Sequence, residues 1–278
     1  MPAGTLYIVA TPIGNLEDMT FRGIRTLKEV DLIAAEDTRH SRKLLSHYGI
    51  ATRMTPYHDH NEQLKSDYLL ELLGQGQNIA IITDAGTPCV ADPGYRLVNA
   101  AINAGFEVVP IPGASAAIAA LSASGLPSDR FAFEGFLPQK QGKRVTRLEE
   151  LKTEYRTLIF YEAPHRIEAT LKDMLSVLGN RTAVLAREIT KIHEEFRSGT
   201  LLELIGCFTE IKPRGEFAIL LAPYEKPDPE PLYSSEDILR QYILTEQLSV
   251  KDAVARAAKK SDLSKSELYA MALRVKDE

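Results

Sequence analysis

The sequence contains few of the residues on which disulfide scaffolds and common zinc sites are built. Its only cysteines among 278 residues are Cys89 and Cys207, whereas small disulfide-stabilised proteins usually have more. It contains neither a Cys-x-x-Cys pair nor a His-Glu-x-x-His helix, so zinc sites of these kinds are excluded and no metal is expected. Two free thiols are most simply explained by a reducing cytoplasm, which is the compartment we expect.

Long hydrophobic runs and a strong excess of positive charge are also missing. No apolar stretch approaches the roughly 18 residues that a membrane-spanning helix needs, and the N-terminus lacks the pattern of a signal peptide. The formal net charge of −5 argues against a protein covered in positive charge. A nucleic-acid partner stays possible, because binding can depend on a single basic face.

The most informative stretch runs from Asn78 to Gly94. Residues Ile79 to Thr83 predict a buried strand, because they are apolar or β-favouring and have no polar face. Two prolines and two glycines follow within a few residues and end the strand. Such a loop at the carboxyl end of a strand is where open α/β sheets bind ligands, although an ordinary surface turn is equally consistent with the pattern.

Other segments of the first half show the same order of strand, loop and helix. Strands are predicted at Thr5–Ala10, Asp31–Ala35 and Glu107–Pro110, with Thr38 and Ser115 as N-caps of the following helices. This alternation predicts a largely parallel sheet with helices on both faces. The first loop has too few glycines for a dinucleotide-binding fingerprint. The acidic residues after the second strand fit either a site or a solvated helix start.

The second half predicts a different sheet and a separate tail. Arg130–Phe136 alternates aromatic residues as an antiparallel strand does, and a basic run without acids follows it. Further predicted strands and a hairpin near Glu194–Phe196 indicate a mixed sheet. We expect domains at residues 1–113 and 114–224, a Pro-rich linker at 225–232, and a helical tail at 233–278. The last two tail helices have the spacing of a helix-turn-helix.

Five loops together resemble one known family. They read TPIGN at 11–15, AEDTR at 35–39, TDAGTP at 83–88, PGASA at 112–116 and YEAPHR at 161–166. In this order they are similar to the loops of the tetrapyrrole methylase superfamily, and the resemblance extends from Thr5 to about Pro223. The first loop lacks the GxGPGD-type pattern of the porphyrinoid enzymes, which favours the branch that modifies ribosomal RNA.

The resemblance implies a fold of two α/β methylase domains that hold S-adenosylmethionine in the cleft between them. It also implies a homodimer and methyl transfer to the ribose 2′-oxygen of a cytidine in 16S rRNA of the 30S subunit. The residues expected to bind the donor come mainly from the loops named above. They are Pro12, Gly14, Asp84, Ala85, Gly86, Thr87, Val90, Ala91, Ser115, Ala116, Tyr161, Gly215 and Ala218.

On the acceptor side, Glu36 and Asp37 are the expected catalytic residues, with Asp37 as the leading candidate for the proton acceptor. A carboxylate in this role needs a raised pKa, because a ribose hydroxyl is a very weak acid. The basic residues expected to contact RNA are Arg22, Arg25, Arg39, Arg42, Lys43, Lys140, Lys143 and Arg144, with Arg147 in the same run. Two alternatives stay open, a tetrapyrrole C-methyltransferase and a catalytically silent ribosome-binding protein.

Overall fold

The computed structural model describes residues 2–58, 61–208, 214–225, 234–259, 261 and 263–276. The chain divides into two compact units, Met1–Tyr224 and Glu225–Glu278. Apart from Glu225, the predicted linker at 225–232 lies outside the described residues. The first unit contains two five-stranded sheets.

The first sheet is entirely parallel, as the alternation of strands and helices predicts. Its spatial order is β3-β2-β4-β1-β5. Its strands are β1 (Thr5–Val9), β2 (Leu32–Ala35), β3 (Met54–Pro56), β4 (Ile79–Ile82) and β5 (Glu107–Ile111). The helices between them are α1 (Phe21–Glu29), α2 (Thr38–His47), α3 (Glu62–Gly74) and α4 (Tyr95–Asn103).

Both faces of this sheet are buried, which explains why its central strands are continuously apolar. On one face Ile33 and Ile82 pack with Leu27 of α1 and Leu45 of α2. On the other face the neighbouring strand residues, such as Ile81, pack with helices α3 and α4. Helices α1 and α2 therefore lie on the same side of the sheet.

The second sheet is mixed, with the order β6-β7-β10-β8-β9. Its strands are β6 (Phe131–Phe136), β7 (Thr157–Glu162), β8 (Thr182–Arg187), β9 (Glu195–Thr200) and β10 (Phe217–Leu221). The prediction that Phe131–Phe136 is antiparallel is wrong, because it pairs in parallel with β7. Helix α6 (Gln141–Glu150) returns the chain between these two strands, and such a crossover makes them run the same way.

The two faces of the second sheet are covered unequally. Helices α6, α7 (Ile167–Leu178) and α8 (Leu201–Gly206) pack on one face. The other face is covered by the short helix α5 (Ala116–Ala123), which contacts small strand residues that include Ala186 and Ala218. The chain passes from the first sheet to the second between β5 and α5, where residue 113 lies. Both sheets nevertheless belong to one compact unit.

The second unit is a small helical tail, as predicted. It consists of α9 (Ser235–Arg240), which continues as a π-helical segment (Gln241–Thr245), followed by α10 (Val250–Ala257) and α11 (Lys265–Lys276). Leu239, Ala253 and Leu268 are fully buried in its own core. Within the described ranges, no helix combines the length and the apolar character that crossing a bilayer requires.

Candidate active site

A cavity of about 480 Å³ lies in the first unit, where the carboxyl ends of β2 and β4 meet the second sheet. This volume is in the range of sites for small organic ligands, roughly 300–1,000 Å³. Many of the residues predicted to bind the donor line it. They are Asp84, Ala85, Gly86, Thr87, Val90, Ala91, Ser115, Ala116, Tyr161 and Ala218. Pro12, Gly14 and Gly215 are not among the lining residues, although their neighbours Ile13 and Glu216 are.

The loop after β4 is held in an unusual conformation. Its Gly86 exchanges two backbone hydrogen bonds with Thr11, of 2.8 and 3.1 Å, and the Thr11 hydroxyl donates to the carbonyl of Thr83 at 3.1 Å. Gly86 has φ of +88°, a value that favours glycine. Positive φ values recur at Cys89 and Ala91, where they cost conformational energy in residues with a side chain. The surrounding contacts therefore fix this loop in a strained shape beside the cavity.

The opposite wall is built on Tyr161 at the end of β7. Its hydroxyl accepts a hydrogen bond from the backbone N–H of Ala117 at the start of α5, at 3.0 Å. Phe133 and Phe136 contact its ring edge-to-face, with centroid distances of 4.9 and 5.7 Å. Burial raises the pKa of Tyr161 above the ordinary tyrosine value, which is itself well above neutral pH. The ring is thus a fixed, neutral wall of the cavity.

Gly14 and Gly215 serve the packing of loops around the cavity. A Cβ atom on Gly14 would lie 2.5 Å from Cγ of Lys191, and one on Gly215 would lie 2.4 Å from the Glu188 carboxyl group. The loop that follows β1 also contacts the second sheet, since the N–H of Asn15 donates to the Thr190 hydroxyl at 3.1 Å. Gly14 therefore allows loops from the two sheets to approach closely, and Gly215 does the same for the loops at the ends of β8 and β10 within the second sheet.

The charged residues that line the cavity are all acidic. They are Glu36, Asp84, Asp92, Glu162 and Glu216, and no Lys, Arg or His of the described residues lines it. Asp92, Glu162 and Glu216 were not among the predicted site residues, although each is next to a residue that was predicted to bind the donor. An acidic cavity favours a cationic ligand and disfavours one that carries many carboxylates.

Glu36 and Asp84 differ in how their carboxylates are used. Oε2 of Glu36 accepts hydrogen bonds from the Thr83 hydroxyl at 2.8 Å and from the backbone N–H of Asp84 at 3.3 Å. Oδ1 of Asp84 is buried and has no hydrogen-bond partner in the described part of the chain. Burial and then the charge of Glu36 raise the pKa of Asp84. Asp84 therefore lines the cavity and has one carboxylate oxygen without a hydrogen-bond partner among the described residues.

Asp37 has a structural task at the start of α2. It is the N-cap, and its Oδ1 accepts from the backbone N–H of Arg39 at 2.7 Å and of His40 at 3.4 Å. The prediction that Thr38 is the N-cap is therefore wrong by one residue. These hydrogen bonds lower the pKa of the exposed Asp37 carboxyl. A low pKa is the opposite of what its predicted role as a proton acceptor requires, and Asp37 does not line the cavity.

The basic residues of α1 and α2 that are predicted to contact RNA are exposed. They are Arg22, Arg25, Arg39, Arg42 and Lys43, and none forms an ion pair with another described residue. Because both helices pack on the same face of the first sheet, their cations lie on one side of the molecule. Phe21, at the first position of α1, is 93% exposed next to them.

The basic run at α6 behaves differently, and Arg144 has to be removed from the predicted RNA contacts. Its side chain is 5% exposed and pairs with Asp173 of α7 at 2.6 Å. Arg147 pairs with Glu134 and Glu150, both at 2.6 Å. Of the predicted run, Lys140 and Lys143 are exposed. A buried guanidinium that is matched by a carboxylate cannot reach a phosphate without breaking its pair.

Comparison with known families gives two matches. Residues 5–205 match the model of the Tetrapyrrole (Corrin/Porphyrin) Methylases, and residues 236–276 match the RsmI C-terminal HTH domain. The chain is also similar over nearly its whole length to proteins named Ribosomal RNA small subunit methyltransferase I. The identity is 49% for the protein of Halalkalibacterium halodurans, covering 96% of this chain and 93% of the relative. It is 50% for that of Haemophilus influenzae, covering 97% and 96%.

Solved structures share the fold at low sequence identity. A uroporphyrin-III-C-methyltransferase from Thermus thermophilus aligns with a TM-score of 0.56 and 21% identity, over 78% of this chain and 94% of that one. A putative diphthine synthase from Entamoeba histolytica aligns with a TM-score of 0.59 and 17% identity, over 81% and 94%. The two proteins have different names and one architecture, so the likeness shows the fold alone.

Proposed function

The chain belongs to the tetrapyrrole methylase family, and from this premise we propose that it uses S-adenosylmethionine to methylate ribosomal RNA of the small subunit. The observation that carries the proposal is the acidic cavity, because residues predicted to bind the donor are found on both of its walls. The names of the relatives support ribosomal RNA as the acceptor.

The residues of the cavity fit this donor. S-adenosylmethionine carries a positive sulfonium and, when bound, supplies an already activated methyl group. The acidic wall favours that charge, and the backbone of Asp84 to Thr87 and of Ser115 and Ala116 offers polar groups for the methionine part. Glycine at position 86 keeps the backbone open to close approach, whereas a side chain there would meet Ile13 at 3.4 Å. The protein's own contribution is to hold donor and acceptor in line and to take up a proton.

RNA affinity is expected from the exposed cations of α1 and α2, which start beside loops of the cavity. Unpaired Lys and Arg side chains bind phosphates and release counterions. Phe21 adds an exposed ring on which an unstacked base could lie. We further propose that the acceptor atom is the ribose 2′-oxygen of a cytidine, and that the chain acts as a cytoplasmic homodimer. These finer points are supported by the resemblance of the five loops.

The acidic cavity argues against the main alternative. A tetrapyrrole C-methyltransferase must hold a compact polycarboxylate beside the donor, where the five acids of the cavity would repel it. RNA, by contrast, can be held by the exposed cations of α1 and α2 outside the cavity. The other alternative, a catalytically silent ribosome-binding protein, has no reason to keep a strained loop beside an open cavity, because strain is retained where it serves a site.

A methyl-transfer assay separates the three readings. The protein is incubated with tritiated donor and, in parallel, with 30S subunits, naked 16S rRNA and uroporphyrinogen. We expect label in the subunits or the rRNA and none in uroporphyrinogen. The control is Gly86→Val, in which the added side chain should abolish donor binding measured by calorimetry. Label in uroporphyrinogen alone would support the tetrapyrrole enzyme. No label with any acceptor, despite donor binding, would support the silent protein.

A further inference from the structure

Among the five acids of the cavity, Asp84 stands apart because its Oδ1 is buried without a hydrogen-bond partner. Glu162 accepts hydrogen bonds from the Thr170 hydroxyl at 2.6 Å and the Ala163 N–H at 2.8 Å. Glu216 pairs with Lys191 at 3.1 Å, and Asp92 has an interaction of its own. A buried, unsatisfied carboxylate oxygen is costly, and such a cost is characteristic of functional sites.

Glu36 is occupied in a way that fixes Asp84. Its Oε2 holds the Thr83 hydroxyl and the Asp84 N–H together, at 2.8 and 3.3 Å. The backbone of Asp84 is thereby tied to the end of β2, while its Oδ1 has no hydrogen-bond partner among the described residues. Glu36 thus orients the segment that carries this carboxylate.

We propose that Asp84 is the proton acceptor of the reaction and that Glu36 is its positioning residue. This inference rests on the proposed function. The hydroxyl O–H bond of the acceptor breaks and its proton goes to the carboxylate of Asp84, a residue that lines the cavity. The oxygen forms a bond to the methyl carbon while the sulfur–methyl bond breaks, and that electron pair stays on the sulfur. Loss of the proton is coupled to methylation, so a carboxylate is a sufficient base.

The groups around Asp84 determine the pH at which it can work. Burial and then the charge of Glu36 raise the pKa of Asp84, and the charge of Asp37 acts in the same direction. The charge of His40 and a hydrogen bond from the backbone of Asp37 lower this pKa. The base must be ionised, so the rate should rise with pH through the pKa of Asp84 and level off above it. Removal of the Glu36 charge lowers this pKa and should move the rise to lower pH.

The test compares Asp84→Asn with Asp37→Asn in single-turnover methylation of 30S subunits at saturating donor. For Asp84→Asn we expect a rate at saturating donor roughly 100- to 10,000-fold lower, the usual contribution of a general base, and a much smaller loss of donor affinity by calorimetry, because the other four acids of the cavity remain. Asp37→Asn is the matched control, because asparagine caps a helix as well as aspartate does. A loss confined to Asp37→Asn, or weaker donor binding as the only effect of Asp84→Asn, would overturn the assignment.

Two further readouts do not depend on the folding of Asp84→Asn. The carboxyl pKa of Asp84, followed by carbon NMR in the free wild-type protein, should be above that of an ordinary aspartate and should fall in Glu36→Gln. The pH–rate profile of Glu36→Gln should shift in the same direction. An ordinary Asp84 pKa, or a profile that Glu36→Gln leaves in place, would contradict the proposal. If the wild type labels no RNA at all, the proposed function itself is wrong. If the wild type labels RNA and the results for Asp84 differ from those expected, only the assignment of Asp84 is wrong.

Discussion

Two basic segments of this chain look alike in sequence and differ in structure. Helix α2 carries Arg39, Arg42 and Lys43, and helix α6 carries Lys143, Arg144 and Arg147. On α2 the cations are exposed and form no ion pair with described residues, whereas on α6 the two arginines are held by carboxylates. The difference comes from acids elsewhere in the chain. A basic run therefore predicts an RNA contact only when the fold leaves it unpaired.

The largest effect that sharpens this comparison is expected at Arg144. Replacing it with methionine leaves Asp173 charged and buried at 8% exposure, and the free energy of unfolding should fall by about 3–5 kcal/mol. Lys143→Met is the matched control on the same helix, and it should change stability by less than about 0.5 kcal/mol. Urea unfolding of the full chain measures both.

A second variant tests the cause. Arg144→Met combined with Asp173→Leu removes both charges and should recover most of the lost stability, because a buried ion pair contributes little beyond a well-packed apolar contact. Equal stability of Arg144→Met and the wild type would mean that the pair is not formed in solution. Arg144 would then be available to RNA after all.

The next effect concerns α2. Reversal of Arg42 and Lys43 to glutamate should weaken binding of 30S subunits by roughly 100-fold, since two attractions become repulsions. The slope of log affinity against log salt concentration should become shallower by about one unit per lost phosphate contact. Donor affinity should not change, because neither residue lines the cavity.

The matched reversal on α6 is Lys140→Glu with Lys143→Glu, which changes the net charge by the same amount. We expect a smaller loss of affinity, since α6 and its N-cap offer only these two exposed Lys or Arg side chains while α1 and α2 together offer six, Lys28 included. If the α6 reversal has the larger effect, RNA binds along α6, and α2 is the helix whose cations only face solvent.

The smallest effect is expected at Phe21. If its ring stacks on an unpaired base, Phe21→Ala should cost about 1 kcal/mol of RNA binding, the low end of the range for one stacked base, and leave the salt slope unchanged. Phe21→Tyr keeps a ring and should retain most of the affinity. Since the side chain is 93% exposed, its truncation should not affect stability. Unaltered RNA affinity in Phe21→Ala would show that the ring only faces solvent.

Local patterns predicted much of the fold for a physical reason. Strands buried on both faces are continuously apolar, and Gly and Pro end them where loops begin, so the parallel sheet and the loop at Asp84 were readable from short segments. The direction of β6 was not readable, because an edge strand takes its direction from the crossover that follows it. Likewise, Asp37 and Thr38 are both good N-caps, and only the backbone geometry decides between them.

Physical pattern alone predicted one wall of the site, whereas Tyr161 and Ala218 of the other wall were predicted from the family resemblance. Loops at the carboxyl ends of parallel strands must meet at one edge of the first sheet, which brings Glu36 and Asp84 together. The position of Glu162 and Ala186 on the other wall depends on how the second sheet lies against that edge, and no local pattern encodes this. The pairing of Arg144 with Asp173, 29 residues further along the chain, depends in the same way on the packing of α6 against α7.

The most direct test of the proposed function identifies the methylated atom. Unmethylated 30S subunits are incubated with the protein and a donor with a deuterated methyl group, and the rRNA is then digested to nucleosides for mass spectrometry. We expect a single labelled nucleoside, a cytidine with the label on the ribose 2′-oxygen. Label on a base, or rRNA without label while another acceptor is methylated, would show that the proposed function is wrong.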